Sequence, residues 1–396
     1  MPLRLPVLLV GDSKLGGISQ TISSFESLKM RGYDVETVVL FEEDKYQNHL
    51  YLAEYFGEKH NIPVKTVPEP PAREKSHAAD ALAMANYYNN GSQSASLREA
   101  LGYLDTRHQS RLARLESMST TASKKIWYPF TQQKHLTPDK ITVIDSAQGD
   151  YFQTLAPQEP YQPGHTDSAA LLQPSFDGSA SWWTQGLGHG NPHLSLSAAY
   201  AAGRYGHVMF AEAVHEPALA LAETLLAGLA NPRLTRTFFS DNGSTGTEVA
   251  VKMALRAARR RYGWRDDGEG VGVLGLRGSY HGDTIGAMDC SEPCVFNQEV
   301  EWYQGKGAWL DYPTVQCRGG LWEVDVPDEM KPLQATGPFL SLSAIFDVES
   351  RESRGEARGY VQFITAALES LAAQGRRLGA LMMEPIVLGA GGMLLV

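Results

Sequence analysis

Apolar and polar positions follow two different periods along this chain. Leu5–Val10 is an unbroken apolar run, the pattern of a strand buried on both faces. The polar, glycine-bearing loop Gly11–Gly17 follows, and Ile18–Lys29 reads as a helix that closes at Arg31-Gly32. Tyr33–Phe41 is a second strand, with apolar positions at Val35, Val38, Val39 and Leu40. Asn48–Gly57 is helical, and Ile62–Val67 is a short strand closed by Pro68-Glu69-Pro70-Pro71. Strand–helix–strand order predicts a parallel sheet.

The texture then changes. Lys75–Ser123 is more polar and reads as the end of one domain plus an inter-domain linker, within which Leu97–Met118 can form an amphipathic helix. Asp145–Gln153 predicts a hairpin around Gln148-Gly149-Asp150. Leu194–Ala202 and Glu216–Leu229 predict helices, the latter with Pro217 in its first turn. Strand Thr237–Ser240, helix Ser244–Tyr262, strand Val271–Leu276, helix Gly359–Ala373 and strand Ala380–Ile386 complete the pattern. The apolar end Met393–Val396 is expected to leave an unpaired edge. Two domains follow, 1–122 and 123–396, both of the α/β class.

Composition narrows the function classes. The 396 residues can bury two cores, and 43% hydrophobic with 20% charged residues suits a globular enzyme. A net charge of −10 argues against nucleic acid, which needs clustered Lys and Arg. The one basic run, Arg256–Arg261, falls at a helix C-terminus, where cations offset the dipole. No apolar run reaches membrane-spanning length, and Met1–Val10 has neither a signal-peptide nor a transit-peptide pattern. Cys290 and Cys294 supply half of a zinc box that nothing completes, so no metal site is named and the thiols read as free.

The candidate chemistry centres on Thr237–Leu255 and Gly278–Met288. Asn242, Gly243 and Ser244 stand where a strand gives way to a helix, and Val249, Met253 and Arg256 share one helical face. Free N–H groups at Gly243, Ser244 and Thr245 suit an anion, although this segment alone reads better as an ordinary cap. Tyr280 is either a core residue or an aromatic face for a flat ligand. Asp283 either meets a substrate amine or caps the helix from Thr284. Trp182 and Trp183 are either core residues or, being adjacent and pointing in different directions, supply one wall of a site. His189 reads as a satisfied structural histidine. Glu384 falls at a predicted strand C-terminus, where α/β sheets place ligands, or in a loop ion pair. Gly11–Gly17 is not a Walker loop, because no G-x4-G-K-S/T spacing exists in the chain.

These motifs carry a resemblance. Asp241, Gly243, Ser244, Gly246, Glu248, Ala250, Lys252 and Ala254, followed by Tyr280-His281-Gly282, resemble the phosphate-binding helix and ring-stacking aromatic of the class III aminotransferases. Leu5–Tyr33 resembles the second half of the dethiobiotin synthetases. Together the two halves resemble the eukaryotic bifunctional dethiobiotin synthetase/7,8-diaminopelargonic acid aminotransferases over nearly the whole chain. The resemblance implies a partial P-loop-type parallel α/β domain followed by a partial fold-type I aminotransferase domain.

It also implies pyridoxal 5'-phosphate held by Asn242, Gly243, Ser244, Tyr280, His281 and Glu384, with substrate walls at Phe130, Trp182, Trp183 and Asp283. Ile126–Thr131 and Glu384-Pro385 with Gly389–Met393 match further family motifs, except that bacterial members usually carry Tyr where Phe130 stands. In the synthetase half, Lys14, Gly16, Gly17 and Ser19 would line a remnant site, and ATP with Mg²⁺ would serve the complete half. The family implies adenosylmethionine as donor, small-molecule substrates, a homodimer and, from the fused form, mitochondria. Its pyridine-pairing aspartate and Schiff-base lysine lie after the Gly389–Met393 loop. Lys252, Lys306 and Lys331 match neither role, so no catalytic residue is named, and the chain is expected to be truncated at both ends. A catalytically inactive fragment, or a class III aminotransferase of another substrate, are the alternatives.

Overall fold

The computed structural model describes residues 5–91, 94–129, 131–156, 171–208, 211–265, 270–330 and 337–395. They form two compact units, Met1–Ala218 and Leu219–Val396.

The first unit begins as the apolar pattern predicts. Strands β1 (Val7–Val10), β2 (Val35–Phe41) and β3 (Val64–Val67) form a parallel sheet in the order β1-β2-β3. Helices α1 (Gly17–Met30) and α2 (Asn48–His60) supply the crossovers. Each buries one stripe at i, i+4 spacing: Gly17, Thr21 and Phe25 on α1, and Asn48, Leu52 and Phe56 on α2. Phe25 and Phe56 meet edge to face at 5.1 Å inside a core completed by Val35, Val38, Leu40, Leu52 and Ile62. Leu40, Leu52 and Phe56 are fully buried, each contributing about 1.5–3 kcal/mol. β1 is less buried than its sequence predicts, because it is an edge of the sheet, and Val10 at its end is exposed.

The region read as a linker is helical. α3 (His77–Gly91) and α4 (Ala95–Lys125) occupy it, and α4 packs across β2 and β3. Arg107 on α4 pairs with Glu36 on β2 at 2.7 Å, and Lys65 on β3 with Glu99 at 2.6 Å. Arg111 reaches Asp145 at 2.8 Å, where the carboxylate is almost wholly buried. α4 therefore joins the parallel sheet to a second one, and its polar sequence reflects ion pairs rather than a solvated tether. That second sheet is antiparallel: β4 (Ile144–Gln148), β5 (Tyr151–Leu155) and β6 (Leu172–Phe176). The hairpin at Gln148–Tyr151 is the one the sequence predicts. A short turn, α5 (Ala180–Trp183), and helix α6 (Pro192–Tyr205) follow. Helix α7 (Glu216–Leu229) spans the boundary between the units.

The second unit is built on α8 (Gly243–Arg261). Three parallel strands pack with it in the order β11-β7-β8: β7 (Val271–Leu276), β8 (Gly307–Leu310) and β11 (Arg377–Leu381). Val251 and Leu255 of α8 meet Val273, Cys290, Ala380 and Met382 in its core. Three further helices are α9 (Ile285–Met288), α10 (Leu342–Ile345) and α11 (Val348–Ser353), with α12 (Glu356–Ala373) longer. β9 (Thr314–Arg318) and β10 (Leu321–Asp325) form a hairpin, and β12 (Val387–Leu388) pairs with β13 (Met393–Leu394).

Three expectations are corrected here. Thr237–Ser240 is not a strand, because no neighbouring strand pairs with it among the described residues, and Phe238 is exposed. The strand expected at Ala380–Ile386 lies earlier, at Arg377–Leu381, where it finds β7. Met393 and Leu394 are not an unpaired edge: they bond to Leu388 and Val387.

Candidate functional site

The start of α8 forms as its sequence requires. Asn242 is the N-cap, in extended conformation, and its Oδ1 accepts from the Thr245 N–H at 2.9 Å. The first-turn N–H groups of Gly243 and Ser244 have no helical acceptor, as at any helix start. A side chain built at Gly243 would meet nothing within 4 Å. An anion thus has open space, two backbone donors and the positive end of a 19-residue helix.

The Tyr280–Thr284 loop is fastened to this helix. Ser244 Oγ accepts from the Thr284 N–H at 2.9 Å and shares a second bond with Thr284 Oγ1 at 2.9 Å. Glu248, one turn on, accepts from the Gly286 N–H at 3.0 Å and pairs with Lys252 at 2.6 Å. Lys252, and then Thr284, hold the Glu248 carboxyl down to about 2. Gly282 makes the approach possible. It lies at φ 129°, and a Cβ there would fall 2.8 Å from the Ser244 Cα.

Glu384 fastens the other side. Its Oε2 accepts from the Tyr280 N–H at 3.1 Å and its Oε1 from the Gly389 N–H at 2.9 Å. It lies beyond the end of β11, where the sheet rule expects ligands. Tyr280 is 45% exposed rather than a core residue. Burial of part of the ring, with Asp283, pushes its hydroxyl up to about 12, and that hydroxyl donates to Asp283 Oδ2 at 2.7 Å. Asp283 does not cap α9; Thr284 occupies that position. Burial lowers the affinity of His281 for a proton against the pull of Glu384, and its Nε2 is buried without a hydrogen-bond partner among the described residues.

Asn242, Gly243, Ser244, Tyr280, His281, Asp283 and Glu384 therefore belong to one neighbourhood of the second unit. Trp182 and Trp183 belong to the first unit and are 70% and 69% exposed, so neither is a core residue. Phe130 and Lys331 lie outside the described residues. Lys306 is paired with buried Asp289 at 2.8 Å. Lys14 lines a cavity of about 210 Å³ with Gly11, Asp12, Ser13 and Glu69, and its pairing with Glu69 raises its pKa. Gly16 and Ser19 line a second cavity of about 580 Å³. Gly17 lines neither. It is buried, and a Cβ there would run into the Asp12 backbone, so its role is close packing.

Two residues that organise these regions were not singled out as site residues from the sequence. Glu248 had a signal, its place one turn inside the helix start, but its partner Gly286 is distant in sequence. Asp177 is the second. Its Asp-Gly-Ser setting marks a turn and says nothing of the histidine it bonds.

Comparison with known proteins bears on the same segments. Residues 173–315 match the family Aminotransferase class-III. A bifunctional dethiobiotin synthetase/adenosylmethionine-8-amino-7-oxononanoate aminotransferase of Emericella nidulans is 53% identical over 99% of this chain and 50% of that protein. The chain is thus similar to the class-III aminotransferases over residues 173–315 and to these bifunctional enzymes over nearly all of its length. A second relative, a bifunctional dethiobiotin synthetase/7,8-diamino-pelargonic acid aminotransferase of Arabidopsis thaliana named mitochondrial, is 39% identical over 100% of this chain and 46% of that protein. The chain thus spans about half the length of the curated relatives it matches. Among solved structures, an amine transaminase from an uncultivated Pseudomonas species superposes with a TM-score of 0.47 at 24% identity, over 68% of this chain and 50% of that one. No helix among the described residues is long and apolar enough to cross a membrane.

Proposed function

We propose that residues 123–396 are part of a pyridoxal-phosphate aminotransferase of biotin synthesis. Its reaction is the conversion of 7-keto-8-aminopelargonate to the 7,8-diamine with adenosylmethionine as donor. Residues 1–122 are, in this reading, part of an ATP- and Mg²⁺-dependent dethiobiotin synthetase. The observation that carries the reading is the open start of α8, held against the Tyr280–Thr284 loop, in a chain alike to the bifunctional enzymes along its whole length.

The residues fit the cofactor's phosphate end. Gly243 and Ser244 N–H groups would bind it, and the helix dipole favours its charge. Bound there, pyridoxal phosphate supplies an electron sink for moving an amino group. Tyr280 offers an exposed aromatic face, fixed through its hydroxyl to Asp283. Glu384 uses one oxygen on each of two backbone N–H groups, so it sets the loop's position. Lys252 and Lys306 are each tied to a carboxylate, and no catalytic residue is assigned in this chain. Phe130, Trp182 and Trp183 are proposed substrate walls, and Lys14 is proposed to belong to the synthetase-half site, with Gly17 packed behind it. A homodimer and mitochondrial residence complete the proposal; the name of the Arabidopsis relative supports the latter.

Pyridoxal phosphate titrated against the chain should quench tryptophan emission saturably. Ser244→Asp sets a carboxylate where the phosphate would bind and should weaken that binding by about tenfold or more. Absence of saturable quenching in the wild type sinks the cofactor site. Absence of diamine formation by the full-length protein with adenosylmethionine sinks the substrate.

A further inference from the structure

The segment Ala180–Trp183 has an unusual backbone. Its four residues have φ of 46°, 48°, 55° and 70°. No glycine is among them, and L-residues avoid this left-handed region. Such a run persists only where its surroundings over-determine it. Burial of the two indoles is not what holds it, since both are about 70% exposed.

A buried carboxylate stands at its entrance. Asp177, at the end of β6, has a side chain only 5% exposed. It accepts from Ser181 Oγ at 2.8 Å and from Ser179 Oγ at 3.1 Å, and meets His189 Nε2 at 2.8 Å. Burial opposes its charge, but these bonds prevail and hold it well below the usual carboxylate range. Its own N–H donates to Asp150 O at 2.8 Å. His189 is fixed in turn. It exchanges two backbone hydrogen bonds with Gly149, and its ring lies 5.0 Å from that of Phe152. One carboxylate therefore ties the entrance of the left-handed run, its second residue and the loop beyond it to the β4–β5 hairpin.

We propose that Asp177 is a positioning residue: acting with His189 through Ser181, it locks Ala180–Trp183 left-handed so that the Trp182 and Trp183 indoles stand ready to face substrate. The functional half of this rests on the reading of the tryptophan pair as substrate wall. The clamp itself can be read without substrate.

Fluorotryptophan labelling of the chain, with its seven tryptophans, gives the test by fluorine NMR. Trp182→Phe and Trp183→Phe assign the two resonances. Asp177→Asn and His189→Ala should shift and broaden both, leaving those of Trp309 and Trp322 in place. His189→Gln keeps a donor for the carboxylate and should restore them. Ser181→Ala removes one hydroxyl and should move the same pair, which keeps the test decisive if Asp177→Asn does not fold. Unchanged Trp182 and Trp183 resonances in folded Ser181→Ala and His189→Ala overturn the clamp. In the full-length protein, Asp177→Asn should raise KM for the keto acid about tenfold with kcat nearly unchanged. Moved resonances with an unchanged KM leave the clamp standing and overturn the substrate-wall reading.

Discussion

Two short turns organise this chain, and they are built in opposite ways. At Asn242–Thr245 the cap is local: a side chain bonds a backbone N–H three residues on, in ordinary dihedrals. At Ala180–Trp183 the backbone is left-handed, and its fixing groups, Asp177, His189 and Gly149, span forty residues. The first is a preference of neighbouring residues. The second is imposed by a tertiary network and is only as stable as that network.

The largest effect should come from the one place where the local turn also depends on a distant partner. Gly282→Val adds side-chain atoms against Ser244 at a φ that L-residues rarely adopt, so a loss of about 3 kcal/mol or more is expected in thermal or urea unfolding. An unchanged midpoint would mean that the loop is not fastened to α8. Asp177→Asn comes next. It should lower the melting midpoint of the first unit, with tryptophan signals of the second unit unmoved. A uniform change across both would break the contrast between the two turns.

The purely local cap should be worth less. Asn242→Ala should cost about 1 kcal/mol, read by urea denaturation, and Asn242→Asp should recover most of it. Acid sharpens the same point. Glu248 titrates at about 2 against an ordinary 4.5, so the folded state prefers its charged form. Its stabilisation is full above pH 4.5 and fades as pH falls through about 2. Glu248→Gln should flatten that part of the acid-unfolding curve. The smallest effect is Lys252→Met, which removes one i, i+4 pair with a mostly exposed lysine and should cost about 0.3–0.5 kcal/mol.

Much of the fold was legible along the chain. The β1–β3 layer, the hairpin at Gly149, α7 and β7 stand where their patterns predict, because each period is a local consequence of the element that carries it. The errors share one cause. Thr237–Ser240 has the composition of a strand but no paired neighbour among the described residues, β11 starts three residues early because β7 fixes its register, and α4 is polar because Glu36, Glu99 and Asp145 lie opposite or along it.

The site divides along the same line. Sequence alone determined that Asn242–Ser244 begins a helix, that Tyr280-His281-Gly282 and Glu384 accompany it, and that the pattern resembles an aminotransferase family. Only the tertiary structure decided that Asp283 serves Tyr280 instead of capping α9, that Glu248 reaches the Gly286 N–H, and that Gly17 is a packing residue. It alone gave Asp177 its histidine. Helix starts and glycine turns are set by energies between near neighbours, which a linear pattern records. A carboxylate's partner is set by which elements pack together, and that depends on cores assembled from the whole chain.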